Sequence, residues 1–363
     1  MNYQFEHIRI NQRDVAIADI LSGKETGQSP FEGSVFDFIS RWLRRVESFN
    51  QHTSGSTGLP KEIKISRSQM VASATRTLRM LPISQGDCAL VCLHPDYIAG
   101  KMMLVRALEF NLKIEAVEPS SDPLHTLSGD FTNGFAAFVP LQLHSMLDQT
   151  ERIFLLNKMN VILVGGAPVT EALHQKIRLL HCPVYATYGM TETISNIALQ
   201  KLNGNDAAPF FRVLPGISIK IDIRNCLVIT LPENAEPVVT NDVAELVSDT
   251  TFRILGRLDN VINTGGLKIL PEQLEVRAEK IMQEAGITRS FIFGGISDEK
   301  FGETLALIIE GSALQPEAEI MLLMKFKNHW ANHEAPRRIC YVSRFSRTDS
   351  GKINRSEILK NIR

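Results

Sequence analysis

Nine consecutive residues, Thr53-Ser54-Gly55-Ser56-Thr57-Gly58-Leu59-Pro60-Lys61, interleave hydroxyls with glycines and end on a cation. Glycines let a backbone come close to an anion, and successive N–H groups can form a concave nest. Hydroxyls add donors and the lysine adds a point charge. That is phosphate-binding chemistry. A plain Gly/Ser linker rarely shows this mixture closing on Pro-Lys. A Walker A loop needs Ser or Thr straight after its lysine, and Glu62 stands there instead; this weighs against a P-loop ATPase or a kinase.

Other stretches carry matching chemistry further along. Tyr188-Gly189-Met190-Thr191-Glu192-Thr193 joins an aromatic face, hydroxyls and a carboxylate, suited to a base, a phosphate and a hard cation. Taken alone it also reads as a helix entrance with a capping threonine. Gly165-Gly166-Ala167-Pro168 reads as a strand-to-helix turn. Thr240-Asn241-Asp242 stands fifteen positions before Arg257, which in isolation suggests a surface charge pair. Gly265-Gly266 suits a strand-like backbone passing close to a ligand, or a β-turn ahead of a helix opened by Pro271. The tail Arg347-Thr348-Asp349-Ser350-Gly351-Lys352-Ile353-Asn354-Arg355 is basic, usually just solvated charge.

In this order the stretches resemble the signature motifs of the adenylate-forming superfamily, which includes acyl-CoA synthetases, peptide-synthetase adenylation domains and luciferases. The resemblance covers about residues 50–363 and implies ATP, Mg²⁺ and coenzyme A. It implies ATP phosphate binding by Thr53, Ser54, Gly55, Ser56, Thr57, Gly58 and Lys61. Gly166, Ala167, Tyr188 and Gly189 would line the adenine pocket, and Asp242 would accept the ribose hydroxyls with Arg257 nearby. Thr191 would meet the α-phosphate and Glu192 the Mg²⁺. Asp259 takes the position of the hinge about which the C-terminal domain turns. Gly265, Gly266 and Lys268 would help form the pantetheine tunnel, and Lys352 would be the catalytic lysine. Two departures stand out: Asn241 where a glycine is usual, and Ser346 where a proline is usual.

Only 52 residues precede the first loop, a much shorter front than most relatives have. In this the chain resembles the compact o-succinylbenzoate–CoA ligases of menaquinone biosynthesis, as it does over residues 163–168, 184–193 and 96–106. Tyr97 falls where relatives have a pocket-gating group. Lys101 or Arg106 would pair with the second carboxylate of a dianionic acid. The expected reaction is adenylation of o-succinylbenzoate followed by transfer to coenzyme A. Another small-acid CoA ligase, an enzyme loading a carrier protein, and a non-catalytic nucleotide binder are the alternatives. Joint presence of Lys352, Glu192 and Asp242 speaks against the last.

These residues need elements to hold them. Apolar spacing predicts an amphipathic helix over 34–49, opened by a capping box at Ser34 and Asp37. Strand-like 89–93 precedes helical 101–110, and strand-like 161–164 precedes helical 171–180. Such alternation predicts an α/β fold with a mainly parallel sheet covered by helices. Residues 217–223 and 227–231 suggest a small β subdomain. A helix over 271–285, strands over 290–293 and 305–310 and a helix over 317–329 suggest a separate α+β C-terminal domain, which the resemblance implies is mobile. The expected domains are 1–258 and 259–363.

Composition fits this. Of 363 residues 44% are hydrophobic and 22% charged, with a formal net charge of -1. Nothing in that balance draws the chain to nucleic acid or an anionic membrane. No apolar run is long enough to span a bilayer, and the first residues do not read as a secretory signal. Five scattered cysteines without a Cys-x-x-Cys pair read as reduced, mostly buried groups in a cytoplasmic protein. His329 and His333 lack a third metal ligand. The expected partner is a small carboxylic acid.

Overall fold

A computed structural model describes residues 6–52, 62–127, 131–299, 302–348 and 352–362. Among these, residues up to 218 together with 230–238 form one compact unit, and 219–229 with those from 239 onward form a second.

The first unit opens with a hairpin of β1 (His7–Ile10) and β2 (Arg13–Ala16). Its turn residues, Asn11 and Gln12, have φ of 48° and 62°, as a tight two-residue hairpin requires. Asn11 accepts from Ala116 N at 2.7 Å and donates to Glu32 at 2.8 Å, fastening the hairpin in place. Helices α1 (Ile17–Ser22) and α2 (Pro30–Leu43) follow. The apolar face expected over 34–49 is buried, but the helix is displaced. Ser29 is the cap, accepting from Glu32 N at 3.2 Å, and Pro30 stands in the first turn. These satisfy the helix entrance, so Ser34 lies inside and its hydroxyl donates back to Pro30 O at 3.1 Å. The helix cannot reach 49 because β3 (Ser48–His52) is extended and pairs with β4 (Glu62–Ser66).

After α3 (Arg67–Arg79), opened by a Ser66–Gln69 capping box, strands and helices alternate. They are β5 (Cys88–Val91), α4 (Ile98–Glu109), β6 (Lys113–Ala116), β7 (Gly134–Phe138), α5 (Pro140–Met146), α6 (Thr150–Leu156), β8 (Met159–Val164), α7 (Glu171–Ile177) and β9 (Val184–Met190). A reversal gives β10 (Ser195–Lys201) and then β11 (Phe211–Val213). The sheet order within this unit is β11-β10-β9-β8-β7-β5-β6-β1-β2. From β6 to β9 every pairing is parallel, whereas β10 and β11 add on antiparallel. Alternate residues Leu90, Ala136, Ile162, Val164 and Val184 pack under α5, α6 and α7. Helix α4 contributes nothing to that cluster and packs on β5, β6, β7 and β10. The sheet is thus covered on both faces, and its central strands can be apolar on both.

In the second unit β12 (Ser218–Ile221), β13 (Cys226–Thr230), β14 (Val238–Ser248) and β15 (Thr251–Arg257) lie in chain order. Then come β16 (Ile262–Thr264), β17 (Leu267–Ile269), α8 (Pro271–Glu284), β18 (Phe291–Asp298), β19 (Gly302–Glu310), α9 (Pro316–His329), β20 (Arg338–Val342) and α10 (Arg355–Lys360). The order here is β17-β16-β19-β18, with β20 parallel to β19. Phe293, Leu305 and Leu307 bury against Leu274 and Ala278 of α8 and Phe326 of α9. On the other side Ile292 and Ile308 meet Phe345 and Ile358. The whole is α/β, a large parallel-rich sheet under helices with a separate smaller sheet, as expected.

Candidate active site

In open parallel sheets, ligands collect beyond the carboxyl ends of the strands. The carboxyl ends of β8 and β9, neighbours in the sheet, carry two of the quoted motifs. At the first, Gly166 has φ 85°, and a side chain on Gly165 would strike the Thr187 hydroxyl. At the second, a side chain on Gly189 would run into Ser195 O and come within 2.6 Å of Asn196 Cα. Both positions therefore need glycine. Ala167 follows the first turn, and the Tyr188 ring lies 5.8 Å from that of Phe211, tilted by 55°.

The capping threonine in this motif is Thr193. Its hydroxyl accepts from Met190 N at 3.0 Å and lies 2.8 Å from Ser195 O, closing a one-turn 3₁₀ segment over Thr191–Thr193. Ile194 completes the reversal with φ 63°, a left-handed conformation that costs a β-branched residue roughly 1–3 kcal/mol. Thr191 and Glu192 are left to line a cavity of about 330 Å³ with Lys64, Gln69 and Glu236. Lys64 belongs to β4, the strand that follows residues 53–61. Those residues, the expected phosphate loop from Thr53 to Lys61, lie outside the described residues.

Helix α4 carries the residues assigned to the acyl substrate. Gly100 lets its first turn approach residues 93–94, since a side chain there would meet Leu93 O and His94 O. Tyr97, at the helix entrance, is half-exposed at 49%. Lys101 is buried and donates to Gln51 Oε1 at 2.7 Å and to Asn50 O at 3.3 Å. Burial first, then the nearby Arg41 charge, pushes its pKa down to about 8, with Asp96 opposing. Arg106 is only 2% exposed. Its guanidinium donates to Asn196 Oδ1 at 2.7 Å and Ser195 Oγ at 3.0 Å and lies 3.7 Å from Met103 Sδ, all uncharged acceptors. Burial pushes its pKa down to about 10, and its Nε has no hydrogen-bond partner among the described residues.

The second unit holds the remaining residues. Asp242 and Arg257 are direct cross-strand partners on β14 and β15, joined at 3.1 Å. Arg257 also meets Asp259 at 2.7 Å, and Asp259 accepts from Asn241 at 2.9 Å. Asn241, the departure from glycine, thus ties the strand to the expected hinge residue. Gly265 and Gly266 are not strand-like: with φ of 56° and 83° they form the two-residue turn between β16 and β17, beside exposed Lys268. Positive φ at both positions is what such a turn demands. Gly265 borders a cavity of about 240 Å³ with Thr264, Thr304, His333 and Arg337. His329 engages Lys325 O at 2.8 Å. No metal-holding cluster of three or more His, Cys, Asp or Glu occurs among the described residues.

Lys352 closes a short hairpin. Its N donates to Thr348 Oγ1 at 3.2 Å, its carbonyl accepts from Thr348 N at 2.8 Å, and Arg347 bridges to Ile353. Asp349, Ser350 and Gly351 lie outside the described residues. Sequence reasoning missed Asn196, Ser195 and Gln51, since nothing local marks them as partners of α4. Four of the five cysteines are buried and all are free; Cys340 is partly exposed. Among the described residues no helix is long and apolar enough to cross a membrane.

Together with the parallel-rich sheet, the strand-end glycines and the cavity walled by Thr191 and Glu192 give the first unit the layout of an α/β ligand-binding site. The profile of the family described as AMP-binding enzyme matches residues 48–228. An acyl-CoA synthetase (AMP-forming)/AMP-acid ligase II-like protein from Dyadobacter fermentans is similar at 37% identity, over 94% of this chain and 97% of that one, with TM-score 0.62. The chain belongs to the AMP-binding family of the adenylate-forming superfamily, and is an AMP-forming acid–thiol ligase by class. It is also similar to the 2-succinylbenzoate–CoA ligase of Bacillus cereus, 25% identical over 337 residues, 85% of this chain and 68% of that protein. The O-succinylbenzoate coenzyme A synthetase of Bacillus subtilis, solved with ATP and magnesium ion, shares the fold with TM-score 0.70. It is 22% identical over 86% of this chain and 69% of that one.

Proposed function

We propose that the chain transfers AMP from ATP to o-succinylbenzoate, releasing pyrophosphate, and then passes the acyl group to coenzyme A. The observation that carries the substrate is Arg106. A buried charge is ordinarily paired, yet its partners among the described residues are neutral. A dianionic acid supplies the missing carboxylate, which a fatty acid would not. Lys101 is already bound to Gln51 and Asn50, so Arg106 takes the aromatic carboxylate and Lys101 braces β3. Tyr97 borders the entrance. The names of the Bacillus relatives point the same way.

In the first half-reaction the other carboxylate attacks the α-phosphorus of ATP, and the P–O bond to pyrophosphate breaks. Two anions approach each other, so the site must quench their repulsion. Lys352 bridges carboxylate and phosphate, and residues 53–61 cradle the leaving phosphates. Gly166, Ala167, Tyr188 and Gly189 hold adenine; Asp242, steered by Arg257, accepts the ribose hydroxyls. Glu192, which stands beside Thr191 on a cavity wall that also carries Glu233 and Glu236, suits Mg²⁺, which takes most of its oxygens from phosphates and water. When bound, the ion neutralises phosphate charge. In the second half-reaction the coenzyme A thiol attacks the acyl carbon and AMP leaves. The second domain, residues 259–363 turning at Asp259, brings the Gly265–Gly266 turn and Lys268 to the pantetheine arm. A cytoplasmic place in menaquinone biosynthesis follows from that substrate.

Mixing the protein with ATP, Mg²⁺, coenzyme A and o-succinylbenzoate tests this. Formation of AMP, pyrophosphate and an acyl-CoA supports it. ADP, no turnover, or turnover only with other acids or with a carrier protein overturns it.

A further inference from the structure

The hairpin that carries Lys352 runs on into a largely buried ion pair. Three residues on, Arg355 begins α10, and its side chain is only 14% exposed. It spans both oxygens of Glu275 at 2.8 and 2.9 Å, and donates to Phe293 O. Glu275, on the second turn of α8, in turn accepts from Phe293 N at 2.7 Å. One guanidinium–carboxylate fork therefore grips both backbone groups of one residue of β18. It fixes the start of α10 against the core formed by β18 and α8.

The rest of the hairpin hangs from that point. Asn354 N donates to Ser346 O at 2.8 Å, and the Asn354 side chain caps α10. Across from it Phe345 is buried, and its N donates to Glu310 at 2.9 Å. The lysine thus emerges from a two-stranded stalk whose returning strand runs directly into Arg355. The reaction read above does not use Arg355 or Glu275, and neither belongs to the cavity bordered by Gly265.

We propose that Arg355 and Glu275 are positioning residues for Lys352, setting the direction in which its amine leaves the domain. This rests on the adenylation role given to Lys352 above. A positioning role predicts a split between the half-reactions, because the lysine serves adenylation and not thioester formation. A role confined to stability predicts equal loss in both.

The test uses the full chain with Arg355→Lys and, separately, Glu275→Gln. Lysine keeps the charge but cannot form the fork. Pyrophosphate release with o-succinylbenzoate is expected to fall roughly 10- to 100-fold in kcat with KM for ATP unchanged. Transfer from pre-made acyl adenylate to coenzyme A is expected to stay within about twofold, the scale of an untouched site. Parallel loss in both half-reactions, or no loss in the first, overturns the proposal. Amide hydrogen exchange decides it independently of substrate. In either variant Lys352 and Ile353 should lose protection while Leu307 keeps it, and unchanged protection at Lys352 overturns the proposal. Should wild type not act on o-succinylbenzoate, the substrate reading fails alone and the exchange result still stands.

Discussion

Arg106 donates to Asn196 at 2.7 Å, and Asn196 lies directly across the β9–β10 ladder from Gly189. The cation assigned to the acid and the motif assigned to the nucleotide are therefore separated by the single residue Asn196. Gly189 admits no side chain against Asn196, so the ladder holds the amide that holds the guanidinium. The expected consequence of Arg106→Ala is a selective defect. KM for o-succinylbenzoate should rise about 10- to 150-fold, the equivalent of a charged hydrogen bond of about 1.5–3 kcal/mol. KM for ATP should stay near wild type. Steady-state kinetics with each substrate varied in turn checks this; an equal rise in both KM values would deny Arg106 its role.

Lys101 makes stability depend on alkaline pH. Its folded pKa is about 8 and its ordinary value 10.5. Between those values the unfolded chain holds the proton that the folded chain has given up. The unfolded state binds more protons, so stability rises with pH. Below about 8 both states are protonated and this contribution is flat. Denaturant unfolding of wild type and Lys101→Met should show wild type gaining on the variant as pH climbs from about 8 towards 10.5. Parallel curves for the two proteins would mean that Lys101 titrates normally.

Asp242 should be felt through the ribose. Removing its carboxylate with Asp242→Ala leaves Arg257 attached to Asp259 and deletes the proposed acceptor for the sugar hydroxyls. KM for ATP is expected to rise about tenfold, the value of one hydrogen bond to a charged group. Discrimination between ATP and 2′,3′-dideoxy-ATP should largely vanish. If the variant still prefers ATP as strongly as wild type, the ribose is held elsewhere.

The sequence makes the central sheet legible because buried parallel strands are continuous apolar runs, as at 89–93 and 161–164. It also makes the interval between Asp242 and Arg257 legible, and the fold explains it: β14 and β15 form a hairpin in which the two residues face each other. Sequence alone places the start of α2 too late because Ser34–Asp37 mimics a cap, while Ser29 and Pro30 lie ahead of the apolar face. The hairpin of β1 and β2 is invisible because its strands have four residues each, too short for period-two alternation to register. Long-range partners are equally hidden. Asn196 and Glu275 acquire meaning only when folding brings Arg106 and Arg355 to them.

The most direct test of the whole account is single-turnover pyrophosphate release by Lys352→Ala. Because Lys352 is the group proposed to bridge the two reacting anions, its removal should slow adenylation by about 100- to 1000-fold, as loss of a preorganised charge-stabilising donor does elsewhere. Acyl transfer from pre-made adenylate should continue at the wild-type rate. Adenylation by the variant at wild-type speed would contradict the account at its root.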